Sequence, residues 1–261
     1  LHFNNGGLCV GVDQLQMLEL ITGLELARPT VDFRLLECVQ HVADYITSKL
    51  GVFDPLQWGP KHGPGAVSDQ RYGSDKYAFN NWSERLERTF PSADFAYANY
   101  AWASASSAED SSARGWNREF PAKLCAVPKT LEKPRLIACE STSSQWCQQS
   151  LRHYFYSQVQ TSNLSSFIDF RRQDRNGQAA LRASMDGKHA TIDLSNASDR
   201  ISCWHVERLF RRSPTLLRAL QSTRAVWIQQ GICRISPRYY YLRKYSTMGN
   251  ATTFPVQSLF F

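Results

Sequence analysis

The stretch FPAKLCAVPKTLEKPRLIACE (residues 120–140) alternates apolar and polar side chains on either side of a turn rich in Lys and Pro. Alternation with a period of two is the pattern of a half-buried strand. It predicts two short strands, at 122–127 and 135–139, flanking a basic turn closed by Pro134.

Helical spacing surrounds this pair. Residues 12–27 read as an amphipathic helix, and after Pro29 the segment 31–50 repeats the pattern with Leu35, Val39, Val42, Ile46 and Leu50 on one face. Further helices are predicted at 143–160 and at about 173–185. KHATIDL (188–194) sets Ala190 and Ile192 against Thr191 and Asp193, which predicts a half-buried strand. From Asn196 or Ser198 as N-cap, a helix is expected to carry Ile201, Trp204 and Leu209 inward to about Arg212.

Pro214 opens another short helix, residues 225–236 read as a hairpin turning near Gly231, and YYYLRKYS adds a third strand. MGNATTFPVQSLFF (248–261) is a glycine turn leading into an apolar helix with Pro255 in its first turn. WGPKHGPGAVSD (58–69), with three glycines and two prolines, is an ordered loop or a linker. The Ser/Ala-rich stretch 104–115 reads as an exposed connection. Strands and helices are mixed without a βαβ repeat, so the class is α+β.

Composition narrows the function. At 43% hydrophobic and 20% charged, the 261 residues have the balance of a globular protein, with no run of about 20 apolar residues for a membrane span and no secretory leader pattern. Seven scattered cysteines without a C-x-x-C pair predict reduced and mostly buried thiols rather than a disulfide framework or a zinc site. The dispersed histidines point the same way, so any metal should be a hard, oxygen-bound one. The net charge of +7 is uneven: Arg171–Phe261 carries 15 Lys and Arg against 5 Asp and Glu. A basic half interleaved with aromatics, as in RYYYLRKYS (238–246), suits a polyanion that is both neutralised and stacked upon. The chain begins at Leu1 and stops inside the apolar run FPVQSLFF, which reads as a fragment.

Several side chains are candidates for chemistry. Asp193, at a strand end, can point into a cleft, where the Leu194 carbonyl would offer a hard cation another oxygen; taken alone, it reads first as a turn or capping residue. Asp199 lies near a helix N-terminus, where the dipole favours a carboxylate, or faces the same cleft and bonds a ribose hydroxyl. Lys129, Lys133 and Arg135 gather three cations on the basic hairpin, a set able to clamp a triphosphate. In STMGNATT (246–253), Ser246 supplies a hydroxyl, Gly249 lets a ligand approach the backbone, and Asn250 can donate to and accept from a sugar.

Taken together, AVPKTLEKPRLIACE (126–140), TIDLSNASDRIS (191–202) and STMGNATTFPVQSLFF (246–261) resemble the RNA-directed RNA polymerases, or replicase β subunits, of the leviviruses. HGPGAVSD (62–69) and GSDKYAF (73–79) are similar to the same family, so the resemblance runs from about Trp58 to Phe261. It implies a right-hand polymerase divided into an N-terminal helical region (1–57), fingers with the basic motif F hairpin (58–186) and part of the palm with motifs A and B (187–261). By the same resemblance Asp193 is the motif A aspartate on catalytic Mg²⁺. Lys129 and Arg135 meet the nucleotide phosphates, with Lys133 shifted from its usual place. Ser246, Gly249 and Asn250 lie near template and sugar, and Asp199 shares motif A.

The family's motif C, Gly-Asp-Asp, occurs nowhere in the 261 residues, so the chain is expected to be inactive alone. Two Mg²⁺ ions, with Mn²⁺ as a substitute, are implied for the complete enzyme. So are an RNA template and product, ribonucleoside triphosphates, host translation elongation factors, and a place in the cytoplasm of an infected bacterium. The rival readings are a non-catalytic basic RNA-binding protein and another metal-dependent nucleotidyl transferase, such as a reverse transcriptase.

Overall fold

The structure, a computed structural model, describes residues 32–70, 72–99, 101, 119–129, 134–172, 174–192, 194, 197–230, 238–245 and 247–261, with the backbone of 3–4 and 7–8. The expectations for 12–27 and 104–115 lie outside these residues. Near the start, β1 (Phe3–Asn4) and β2 (Gly7–Leu8) pair antiparallel. Then come α1 (Phe33–Leu50), capped by the Asp32 carboxylate, and the single turns α2 (Glu84–Glu87) and α3 (Ser92–Phe95). Two strands follow, β3 (Ala122–Val127) and β4 (Arg135–Cys139), with the bounds expected. The helices α4 (Thr142–Thr161), α5 (Asp174–Asp186), α6 (Cys203–Leu209) and α7 (Pro214–Thr223) lead to β5 (Trp227–Gln230), β6 (Arg238–Tyr241) and α8 (Thr253–Phe260). The class is α+β, as expected.

The larger sheet has the order β4-β3-β5-β6, with β3 parallel to β5 and the other pairs antiparallel. Residues 231–237, which include the turn expected at Gly231, lie outside the described residues, and the partner strand of β5 is the expected third strand. One face of the sheet buries Ala122, Leu124, Leu136, Ala138 and Ile228 in a small core completed by Ala225 and Leu242. The main core surrounds α4, whose Trp146, Leu151, Tyr154 and Phe155 pack with residues of α1, α7 and α8 and with Phe53, Trp82 and Phe90. Each large side chain buried there contributes roughly 2–3 kcal/mol.

α4 is central because its N-terminus is doubly tied. The Ser141 hydroxyl accepts from the Ser144 N–H, and Asp69 accepts from both the Thr142 N–H (2.8 Å) and its hydroxyl (2.7 Å). The loop 58–69 is thereby an ordered one, held further by Lys76, whose ammonium donates to the Gly63 and Gly65 carbonyls.

Three expectations are corrected. α1 exposes Leu35, Val39 and Val42; its buried residues are Gln40, Ala43, Thr47 and Leu50, with Ile46 partly buried. The reason is polar: Gln40 donates to the Arg208 carbonyl (2.9 Å) and Thr47 to that of Leu209 (2.7 Å), two groups that the end of α6 leaves unpaired. Residues 188–192 form no strand and are exposed, because no described strand lies beside them to complete a ladder. The expected 196–212 helix is a 3₁₀ turn at Ser198–Arg200 followed by α6, which Ser202 caps; Ile201 and Leu209 are buried, but Trp204 faces solvent.

The described cysteines, 38, 125, 139, 147 and 203, are free thiols, but only Cys147 among them is buried, where most were expected to be. Among the described residues no helix is long and apolar enough to cross a membrane.

Candidate functional site

Of the residues singled out by sequence, Asp193, Lys133 and Ser246 lie outside the described residues. Leu194 is exposed. Lys129 follows the end of β3 and Arg135 opens β4, both exposed, with Arg135 paired in register to Val127. Asn250 and Asp199 are buried and Gly249 is exposed, all three where this hairpin joins the rest of the chain.

The glycine turn is docked on the free edge of β4. The Ala138 N–H donates to the Met248 carbonyl (2.8 Å), and Gly249 has φ +121°, a region open to glycine. A Cβ on Gly249 would lie 2.1 Å from the Ala138 carbonyl oxygen, so the close approach requires glycine as much as the dihedral does. Arg135 and Gly249 therefore belong to one strand edge, and the basic hairpin and the glycine turn form one unit.

A hydrogen-bonded chain runs on from it. Asn250 donates through Nδ2 to Glu140 Oε1 (3.1 Å), while Glu140 Oε2 accepts from the Ala225 N–H (3.1 Å). The Asn250 Oδ1 accepts from the Thr252 N–H (2.8 Å) and the Thr252 hydroxyl (2.7 Å). With that proton committed, the Tyr245 hydroxyl donates to Thr252 Oγ1 (2.7 Å). Tyr245 also donates its N–H to the Ile201 carbonyl (3.0 Å), two residues beyond Asp199. The end of β4, the glycine turn, the segment 242–245 and the turn at Ser198–Arg200 are thus joined in sequence.

Two more buried side chains complete the junction. Gln148 of α4 donates to the Thr223 carbonyl (2.7 Å) and accepts from the Ala251 N–H (3.2 Å). The Arg224 guanidinium donates to the carbonyls of Leu242, Lys244 and Tyr245 at 2.8–3.0 Å. Satisfying three carbonyls at once, it fixes the path of 242–245.

Burial sets the electrostatics. Glu140 is 2% exposed, and desolvation pushes its pKa up to about 7, against the pull of the Asn250 amide, the Arg224 charge and the Ala225 N–H. Asp199, 3% exposed, is raised to about 6 by burial and drawn back by the Lys244 charge. Lys244 is lowered by its own burial and sustained by Asp199. Segments 201–203 and 243–245 run side by side, with Cys203 N–H donating to the Arg243 carbonyl (3.2 Å).

Glu140, Tyr245, Thr252, Arg224, Gln148 and Lys244 were not among the sequence candidates. Glu140 alone carried a local signal, as a carboxylate closing the strand RLIAC just before a helix cap. Among the described residues no three His, Cys, Asp or Glu side chains converge as a metal site. The hard oxygen donors of Asp193 and the Leu194 carbonyl are chemically suited to Mg²⁺.

Residues 68–261 match the family model described as RNA replicase, beta-chain. The chain is 30% identical over 146 residues to the RNA-directed RNA polymerase beta chain of Enterobacteria phage GA, covering 56% of this chain and 25% of that protein. It is 32% identical over 139 residues to the RNA-directed RNA polymerase subunit beta of Qbeta virus (strain MX1), covering 53% of this chain and 22% of that protein. The matched stretches span about a quarter of these curated relatives. Since the family model runs unbroken from Ser68 through the basic hairpin and the glycine turn to Phe261, the chain belongs to the RNA replicase beta-chain family.

Proposed function

We propose that the chain forms the fingers and the first part of the palm of a right-hand RNA-directed RNA polymerase that copies a viral RNA genome. Its N-terminal helical region, fingers and partial palm are taken as 1–57, 58–186 and 187–261, and the polymerase acts in the cytoplasm of an infected bacterium. The observation that carries the reading is the family match over 68–261, which takes in the basic hairpin, Asp193 and the glycine turn together.

In this reading a nascent-chain 3′ hydroxyl attacks the α-phosphate of a ribonucleoside triphosphate in line, and pyrophosphate leaves. Lys129, Lys133 and Arg135 neutralise the triphosphate: the lysines act as point charges and Arg135 as a bidentate fork. Asp193 and the Leu194 carbonyl hold Mg²⁺, which when bound supplies charge neutralisation for the displacement. Asp199, 3% exposed and facing the Lys244 charge, serves the turn at Ser198–Arg200 rather than a ribose hydroxyl. Ser246 and Gly249 line the sugar and template. Asn250 acts chiefly by holding the turn, since its amide is committed to Glu140 and Thr252. Host translation elongation factors are proposed partners of the whole enzyme.

The test is nucleotide incorporation by the complete replicase that contains this chain. The expected outcome is RNA-templated use of ribonucleotides, lost on chelation, restored by Mg²⁺ or Mn²⁺, and roughly a hundredfold or more above deoxyribonucleotides. Preference for deoxyribonucleotides would point to a reverse transcriptase. RNA binding without incorporation would leave only a binding protein.

A further inference from the structure

The sheet has a second face, opposite its small core, of which the proposed chemistry uses only Arg135, at the β4 edge. Alternation along the strands places Lys123 and Cys125 of β3, Trp227 and Gln229 of β5, and Tyr239 and Tyr241 of β6 on it. The structure thereby sorts the run RYYYLRKYS: Tyr239 and Tyr241 are 56% and 52% exposed and both arginines are exposed, whereas Tyr240 is half-buried and Leu242, Lys244 and Tyr245 are buried. Trp227, 45% exposed, lies opposite Tyr241, their rings 5.3 Å apart and nearly perpendicular. Gln229 lies between Lys123 and Tyr239 in register.

We propose that this face is a platform for single-stranded RNA, whose bases stack on Trp227, Tyr239 and Tyr241 and whose phosphates meet Lys123 and Arg243. Charge chooses the partner: this face carries Lys123 and Arg135, with exposed Arg243 just beyond β6, and the four strands hold no carboxylate. An apolar protein surface gains nothing from such an unbalanced set of cations, while a polyanion does. Exposed rings choose the single strand, because a duplex keeps the faces of its bases stacked inside. The platform lies toward β5 and β6, and the glycine turn is docked at the opposite edge, beyond β4; three strand spacings separate those edges, about 14 Å. Bases stacked on β5 and β6 lie two to three strands from Arg135. The inference rests on the polymerase reading only in choosing RNA over DNA.

The experiment is fluorescence anisotropy with the 261-residue chain and a short fluorescein-labelled oligouridylate at low salt. Tyr239→Ala and Tyr241→Ala should each weaken binding about tenfold, Tyr239→Phe should stay within about twofold of the parent, and an RNA duplex of equal length should bind about tenfold more weakly. Lys123→Ala should flatten the dependence of log K on log salt by about 0.7. Parent-like affinity in folded alanine variants, equal affinity for duplex and single strand, or no binding by the parent would overturn the platform. Photocrosslinking of a bromouridine oligonucleotide to the unaltered chain needs no variant: crosslinks should fall on Trp227, Tyr239 or Tyr241, and crosslinks confined elsewhere would overturn it too. Incorporation by the complete replicase tests the polymerase reading separately, so that reading survives if the platform fails.

Discussion

Around Gly249 the chain is pinned from three directions: β4 takes the Met248 carbonyl, Glu140 takes the Asn250 amide, and Gln148 takes the Ala251 N–H. Residues 187–192, the approach to Asp193, are exposed throughout, and apart from Asp186, which accepts from the Lys188 N–H and contacts His189, few partners hold them. Both segments carry the small polar residues of a ligand site. Among the described residues only one of them has hydrogen-bond partners supplied by distant elements, and that difference separates a built turn from an alternating pattern with no described strand beside it.

The comparison predicts where stability resides. Gly249→Ala should have the largest effect, a loss of roughly 3 kcal/mol in urea unfolding, because the added methyl meets the backbone of Ala138 and the φ disfavours any side chain. A loss below about 0.5 kcal/mol would mean that the turn is not docked on β4. Glu140→Ala should follow closely, at about 2–4 kcal/mol, since it strands the Asn250 amide and the Ala225 N–H in the interior.

Glu140→Gln should cost less and change the pH dependence. The folded protein holds the Glu140 proton up to about pH 7, above the ordinary carboxyl value of 4.5, so it binds more protons than the unfolded chain between those values. Stability from this group is therefore full at low pH and lost as the pH rises through 7. Asp199, raised to about 6, contributes with the same sign over a lower window. Half-buried His62 and His205, both lowered by desolvation, contribute with the opposite sign, so the diagnostic is the difference: relative to Glu140→Gln, the parent should lose melting temperature as the pH rises from about 4.5 to 7. Parallel curves for the two proteins over that range would contradict the burial of the Glu140 carboxyl.

Lys129→Ala should leave the melting temperature unchanged, the side chain being exposed, and raise the KM for nucleotides about tenfold in the complete replicase. Ile192→Ser should do least, within about 0.5 kcal/mol, because Ile192 is 85% exposed. A loss as large as that of Gly249→Ala would erase the contrast between the two segments.

Local patterns were legible where the chain needs only its neighbours. The bounds of β3 and β4, the helix α4 and the start of α7 at Pro214 follow from alternation, helical spacing and proline placement. The buried face of α1 was hidden because Gln40 and Thr47 are buried through carbonyls of a helix about 165 residues away, a bond no periodicity reports. Glu140 was hidden for the same reason, its partner Asn250 lying 110 residues on. Gly249 was legible as a turn glycine, but its contact with Ala138 depends on the fold.

The most direct test of the central claim lies in Asp193. In the complete replicase, Asp193→Asn should reduce RNA-templated ribonucleotide incorporation at least about a thousandfold while the melting temperature stays at the parent value. Incorporation at the parent rate would contradict the assignment of this aspartate to the polymerase site.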